Sequence, residues 1–214
     1  MSSIREDTIF YSSGTLQIEG LYAERSGEAG AVICHPHPQL GGCMQNNVVV
    51  SMIGALLIHG YSTLRFNFRG VGRSEGNYDN GIGEQEDIGG AVCWMEKKGK
   101  TAILLAGYSF GAWVGARWLQ NHEIEYPAIL ISPPINVMDF DFSTLLGKIG
   151  LFVCAERDQY CDHERIKDIA DSMNSRFALI SDADHFYFGY ESAIVSVLDK
   201  YLTDESQSQK NIIS

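Results

Sequence analysis

The sequence predicts an α/β protein, a three-layer sandwich in which a mostly parallel, twisted sheet carries helices on both faces. Short apolar segments alternate with longer segments of helical period along most of the 214 residues. The apolar segments contain few polar positions, which is typical of strands buried on both faces of a parallel sheet. Length and composition fit a single domain, predicted at residues 1–203, followed by a flexible C-terminal tail at residues 204–214.

The first two strands are predicted at residues 8–12 and 16–22, with the turn Ser13-Gly14 between them. Alternation of apolar and polar side chains over residues 16–19 indicates one solvated face, so this pair is predicted as an antiparallel edge. The remaining strands are predicted at residues 31–34, 61–68, 101–106, 128–132, 149–155 and 177–180. Helices are predicted at residues 46–59, 84–98, 112–121, 163–173 and 190–202.

The helix at residues 84–98 has the clearest signals. Ile88, Ala91, Val92 and Met95 follow one another at helical spacing and form one apolar face. Acidic residues fill its first turn and lysines its last, which is the charge distribution that the helix dipole favours.

Charge and cysteine content exclude several classes of function. The net charge is −11 and the sequence has no basic stripe, which argues against binding to nucleic acid or to anionic membranes. The N-terminus has no apolar signal segment, and the longest apolar stretch, near residues 48–58, is too short to cross a bilayer. Five cysteines without framework or zinc spacing favour a reducing, cytoplasmic setting.

The most informative motif is Gly107-Tyr108-Ser109-Phe110-Gly111, a G-x-S-x-G pentapeptide between a predicted strand and a predicted helix. A strand, a sharp turn and a helix form a nucleophile elbow, which presents the serine hydroxyl at the edge of the sheet. The alternative is a serine in an ordinary glycine-rich turn. The flanking segments favour Ser109 as the nucleophile.

A serine nucleophile needs a base and an orienting carboxylate, and two later strand ends offer both. Asp158 follows the strand at residues 149–155, and His185 follows the strand at residues 177–180. The carboxyl ends of parallel strands meet at one edge of a sheet, so Ser109, Asp158 and His185 are predicted to meet there. Other carboxylates nearby remain candidates for the acid, namely Glu156, Asp162 and Asp182.

Three motifs together resemble the α/β-hydrolase superfamily, and within it a group of small bacterial serine hydrolases without a lid. They are HPHP at residues 35–38 with Gly41-Gly42, RFNFRGVGRS at residues 65–74, and GYSFG at residues 107–111. The resemblance covers nearly the whole chain and implies an α/β-hydrolase fold without a lid domain. It also implies Asp158 as the acid, by its offset from the strand end, and an activity that needs no cofactor.

An acyl-transfer site also needs hydrogen-bond donors for the oxyanion. The backbone N–H of Phe110, directly after the nucleophile, is predicted as the first donor. The resemblance implies the backbone N–H of His37 as the second, three residues past the strand at residues 31–34, with Leu40 or Gly41 as alternatives.

Two other groups of residues invite different interpretations. His35 and His37 could share a zinc ion, but no third ligand has suitable spacing, and a rigid loop with His35 bonded to its neighbours is favoured. Arg65, Arg69 and Arg73 could bind an anion, although ion pairs with the many acidic residues are favoured.

The sequence therefore predicts a serine hydrolase of carboxylic esters that acts through an acyl-enzyme on Ser109 and takes a small acyl substrate. A thioesterase or acyl-peptide hydrolase with the same triad is the enzymatic alternative, and a non-catalytic small-molecule binding protein is the alternative of another class. Tyr108, Trp113, Ile135 and Phe186 are candidates to line a shallow substrate pocket.

Overall fold

The structure, a computed structural model, describes residues 5–124 and 126–213. Within them eight strands form one sheet. The strands are β1 (Asp7–Ser13), β2 (Leu16–Ala23), β3 (Ala29–Cys34), β4 (Ser62–Phe66), β5 (Ala102–Tyr108), β6 (Tyr126–Ile131), β7 (Ile149–Ala155) and β8 (Arg176–Ile180).

The strands lie in the order β1-β2-β4-β3-β5-β6-β7-β8. β1 pairs antiparallel with β2, and β2 pairs antiparallel with β4. From β4 to β8 every neighbouring pair is parallel. This arrangement confirms the predicted mostly parallel sheet with an antiparallel edge at its N-terminal end.

Helices cover both faces of the sheet. They are α1 (Asn47–Ile58), α2 (Gly83–Lys97), α3 (Phe110–Leu119), α4 (His163–Ser172) and α5 (Glu191–Ile213). Apolar side chains of α1 and α5 pack with one face of the sheet, and those of α2, α3 and α4 pack with the other. The core is thus divided into two layers with the sheet between them, as a three-layer sandwich requires.

Side-chain caps fix the start of two helices. The Asn46 side chain accepts a hydrogen bond from the Val48 N–H at the start of α1. The Asp162 carboxylate accepts one from the Arg165 N–H at the start of α4. Each cap satisfies a backbone donor that has no partner inside its helix.

Helix α5 is longer than the sequence predicts. The predicted helix ends at residue 202 and a tail follows, whereas α5 continues to Ile213. Apolar periodicity stops at Leu202, but two acidic residues of the next turn pair with Arg176 of β8: Arg176 Nη1 lies 2.6 Å from Asp204 Oδ2, and Nη2 lies 3.6 Å from Glu205 Oε1. Cross-element ion pairs of this kind support a helix turn that has little apolar surface to bury.

The loops at the carboxyl ends of the parallel strands lie along one edge of the sheet. They include the loops after β3, β5, β7 and β8, which carry every residue predicted for catalysis. Among the described residues, no helix has both the length and the apolar character that crossing a membrane requires.

Candidate active site

The turn between β5 and α3 holds Ser109 in a backbone conformation with φ +54° and ψ −118°. A positive φ is costly for a residue with a side chain and persists only where the surrounding structure enforces it. Glycines on both sides of the serine make the turn possible. A Cβ on Gly107 would lie 2.5 Å from the Gly111 oxygen, and one on Gly111 would lie 2.4 Å from the Cys34 oxygen on β3. The pentapeptide is therefore a strand–turn–helix elbow rather than an ordinary glycine-rich turn.

A chain of hydrogen bonds joins the three residues that the sequence predicts for catalysis. Ser109 Oγ lies 2.9 Å from His185 Nε2, and His185 Nδ1 lies 2.9 and 2.8 Å from Asp158 Oδ1 and Oδ2. Because a carboxylate only accepts hydrogen bonds, Nδ1 carries the imidazole proton and the Nε2 lone pair faces the serine hydroxyl. Histidine in this tautomer can remove the serine proton.

The Asp158 side chain is fully buried and well supplied with donors. Besides His185, its Oδ1 accepts hydrogen bonds from the backbone N–H groups of Tyr160 at 2.9 Å and Cys161 at 3.1 Å. The ring of Tyr160 also stands edge-on to the His185 ring, with 4.8 Å between centroids. The loop after β7 thus fixes the carboxylate and one side of the imidazole together.

The other carboxylates near the site have different partners. Asp182 forms an ion pair with Arg157. Glu156 accepts a hydrogen bond from the Asp182 N–H at 2.8 Å, and Asp162 caps α4. Only Asp158, among the four candidates, contacts His185 in the described structure.

Two buried tyrosines support the His185 loop from the interior. The Tyr108 hydroxyl donates to the His185 carbonyl oxygen at 2.6 Å, and the Tyr187 hydroxyl lies 2.7 Å from Ser132 Oγ. Burial raises the pKa of both phenols above the usual value. Tyr108 is only 2% exposed, so its ring presents little surface to a substrate, and its place in a substrate pocket stays a prediction. Its ring faces the interior because successive side chains along β5 point to opposite faces of the sheet. The turn after β5 then directs the Ser109 side chain outward.

His35 connects the loop after β3 to the loop after β4. Its Nδ1 lies 2.6 Å from the Pro36 oxygen, and its Nε2 accepts a hydrogen bond from the Phe68 N–H at 3.0 Å. The imidazole is fully buried, and burial lowers its pKa to about 4. The neutral ring therefore acts as a structural connector. Gly42 completes the loop, since a Cβ there would lie 2.1 Å from the Pro36 oxygen.

The two predicted oxyanion donors belong to neighbouring residues. The rings of His37 and Phe110 pack with 4.9 Å between their centroids. Within residues 5–124 and 126–213, neither backbone N–H donates a hydrogen bond to a protein acceptor. The alternative donor Leu40 instead uses its N–H in a turn to the His37 oxygen at 3.0 Å. The N–H of the other alternative, Gly41, likewise donates to no protein acceptor in the described residues, so the choice of His37 as the second donor stays a prediction.

Of the remaining pocket candidates, Ile135 is 9% exposed and packs against the core, and its place in a substrate pocket stays a prediction. Trp113 is partly exposed, packs on Phe110 and donates from Nε1 to the Asp139 oxygen at 2.8 Å. Phe186 is 47% exposed and its ring stands edge-on to His185. Trp113 and Phe186 are therefore the two candidates that present aromatic surface near the site.

The three arginines of the RFNFRGVGRS motif are all engaged in ion pairs. Arg65 binds Glu6, Arg69 binds Glu86 and the fully buried Asp87, and Arg73 binds Glu19. The motif thus ties the loop after β4 to β2 and α2, as the favoured interpretation predicts. Among the described residues, no group of three or more His, Cys, Asp or Glu side chains is arranged to hold a metal ion.

Similarity to known proteins identifies the family to which this chain belongs. An uncharacterized protein of Rickettsia prowazekii is 31% identical over 208 residues, which cover 91% of this chain and 87% of the relative. An α/β serine hydrolase homologue from Coxiella burnetii is 33% identical, with a TM-score of 0.82 over 91% of this chain and 96% of the homologue. A lidless α/β serine hydrolase from Xanthomonas campestris is 26% identical, with a TM-score of 0.80 over 94% of both chains. No protein-family model matches the chain.

The chain belongs to the α/β-hydrolase superfamily. Its fold is that of α/β serine hydrolases, including one described as lacking a lid. These relatives support the assignment of this chain as a hydrolase. They indicate the fold and the general class of chemistry, but they do not identify a substrate.

Proposed function

We propose that the protein hydrolyses carboxylic esters through an acyl-enzyme on Ser109. The observation that carries this proposal is the unbroken hydrogen-bonded chain from Ser109 Oγ through His185 to the buried Asp158 carboxylate. A structural serine would need neither a base at 2.9 Å nor a buried carboxylate behind that base.

In the first half-reaction Ser109 Oγ attacks the ester carbonyl while His185 Nε2 takes the serine proton. Asp158 keeps the imidazole in the reactive tautomer and stabilises the imidazolium that forms. The N–H groups of Phe110 and His37 bind the oxyanion, each contributing about 3 kcal/mol to transition-state stabilisation. His185 then protonates the leaving alcohol, and in the second half-reaction it activates the water that releases the acid.

The site supports small or surface-bound esters as substrates. Only residues 132–148 connect β6 to β7, which is too short a segment to form a lid domain. The partly exposed rings of Trp113 and Phe186 provide apolar surface for an acyl or alcohol group. Short-chain aryl and alkyl esters are therefore the substrate class that we propose.

The proposal is tested by hydrolysis of p-nitrophenyl acetate and butyrate by wild-type protein and Ser109→Ala. The variant removes one oxygen from a serine that is 8% exposed, so it is expected to remain folded and lose all measurable activity above the uncatalysed rate. Ser196→Ala is the matched control, because within the described part of the chain that hydroxyl binds the Ser192 oxygen of its own helix and no residue of the site. Equal activity in wild type and Ser109→Ala would contradict the proposal.

A further inference from the structure

Tyr78 lies in the segment between β4 and α2, and its ring packs against both residues whose N–H groups are proposed to bind the oxyanion. Its centroid is 5.1 Å from that of His37 and 5.8 Å from that of Phe110. Its hydroxyl lies 3.3 Å from His37 Nε2. No other tyrosine hydroxyl in the described residues contacts His37.

The direction of that hydrogen bond follows from the other nitrogen of the ring. His37 Nδ1 accepts a hydrogen bond from the Gln39 N–H at 3.2 Å, so the proton of the neutral imidazole lies on Nε2. Burial lowers the pKa of His37, which keeps the ring neutral near pH 7. Nε2–H therefore donates to the Tyr78 oxygen, and the imidazole is bonded at both of its nitrogens.

The segment that carries Tyr78 is itself firmly anchored. Glu84 is fully buried and accepts hydrogen bonds from the N–H groups of Asp79 and Gly81, both at 2.8 Å. The Asp79 carboxylate in turn accepts one from the Gly83 N–H at 3.0 Å. Tyr78 thus extends from a rigid support towards the loop after β3.

We propose that Tyr78 is a positioning residue of the oxyanion hole. Its hydroxyl fixes the imidazole of His37, and through that side chain it fixes the orientation of the His37 main-chain N–H. This inference rests on the proposed ester hydrolysis, because it assigns a support to one of the two oxyanion donors. A donor that is free to rotate stabilises the oxyanion less, while the ground-state ester scarcely uses it.

The change that tests this is Tyr78→Phe, which keeps the ring and removes only the oxygen. We expect kcat for p-nitrophenyl butyrate to fall about fivefold, the equivalent of one ordinary hydrogen bond, at nearly unchanged KM. Affinity for an alkyl boronic acid, which forms a tetrahedral adduct on serine, should fall by the same factor. Tyr11→Phe is the matched control, since that buried hydroxyl donates to the Asp87 main-chain oxygen at 3.0 Å rather than to His37. It should leave kcat unchanged.

A double-mutant cycle with His37→Ala separates positioning from other roles. Alanine keeps the main-chain N–H but lacks the imidazole, so removal of the Tyr78 hydroxyl should have no further effect in that background. The same fivefold loss in both backgrounds would overturn the proposal, since the hydroxyl would then act without His37. No loss of kcat in Tyr78→Phe alone would also overturn it.

A measurement without substrate keeps this inference distinct from the proposed function. In ¹⁵N-histidine NMR spectra at pH 7.5, His37 should be the Nε2–H tautomer in both the wild type and Tyr78→Phe, because the Gln39 N–H still binds Nδ1, and the Nε2 resonance should shift in the variant, which lacks the Tyr78 oxygen as acceptor. An Nε2 resonance that is the same in the wild type and in Tyr78→Phe would refute the positioning role whether or not the protein hydrolyses esters. Absence of Ser109-dependent hydrolysis, with the expected tautomer and Nε2 shift present, would instead refute the proposed function.

Discussion

Acidification should destabilise the folded protein through His35. The imidazole is fully buried between the loops after β3 and β4, and burial lowers its pKa from the ordinary 6.5 to about 4. In the unfolded chain the same imidazole regains its ordinary pKa. Between these two pH values the unfolded chain binds a proton that the folded protein does not, so the free energy of unfolding falls as the pH falls.

The size of the effect follows from the difference between the two pKa values. A pKa of 6.5 in the unfolded chain and of about 4 in the folded protein corresponds to about 3 kcal/mol of the free energy of unfolding when the titration is complete. The contribution of His35 is fully present above pH 6.5, and about 2 kcal/mol of it is lost by pH 5. That loss is a sizeable part of the ~5–15 kcal/mol by which proteins of this kind are stable.

Urea unfolding of wild-type protein and His35→Gln at pH 7.5, 6 and 5 measures this contribution. Glutamine offers a neutral donor and acceptor but does not titrate, so the stability difference between the two proteins should shrink by about 2 kcal/mol from pH 7.5 to 5. His163→Gln, at the partly exposed start of α4, serves as the control and should parallel the wild type. Parallel curves for wild type and His35→Gln, or an NMR titration of His35 with a pKa near 6.5, would refute the reasoning.

Three further outcomes are expected. Asp158→Asn should lower kcat for p-nitrophenyl butyrate by about 10⁴-fold, because the reactive His185 tautomer is lost. The kcat of Asp182→Asn should stay near that of the wild type. The reverse ranking would assign the acid to Asp182. Gly111→Ala should lower the free energy of unfolding by about 1–3 kcal/mol, because its Cβ would lie 2.4 Å from the Cys34 oxygen. Gly54→Ala, whose Cβ would meet no neighbouring atom within 4 Å, should instead stabilise α1 by about 0.5–1 kcal/mol. Equal melting temperatures for the two variants would contradict this. Overnight EDTA treatment should leave the hydrolysis rate unchanged, and inhibition that zinc reverses would indicate a metal site.

Most of the sheet could be predicted from the sequence because its strands are short apolar segments between glycine-rich or polar loops. The strand at Ile149–Ala155 has the predicted limits, and the others differ by at most two residues at either end. The end of α5 was not predictable, because periodicity stops at Leu202 and the supporting ion pairs involve Arg176, which is distant in the sequence.

The contact between Ser109, Asp158 and His185 could be anticipated because each follows a parallel strand, and the carboxyl ends of such strands share one edge. The hydrogen bonds that hold these three residues and their neighbours in place could not be anticipated. Tyr108 occupies the first variable position of the G-x-S-x-G motif. The residues next to it in the sequence do not indicate that its hydroxyl binds the His185 oxygen. Tyr78 reaches His37 from a segment 41 residues later, a contact that only the folded loops create.

The central claim is that Ser109 is an activated nucleophile. Labelling with a fluorophosphonate probe, followed by peptide mapping by mass spectrometry, tests it without knowledge of the substrate. We predict a covalent adduct on Ser109 that forms rapidly in the wild type and is lost in His185→Ala. Folded protein that gives no adduct, or gives the same adduct at the same rate without His185, would contradict the claim.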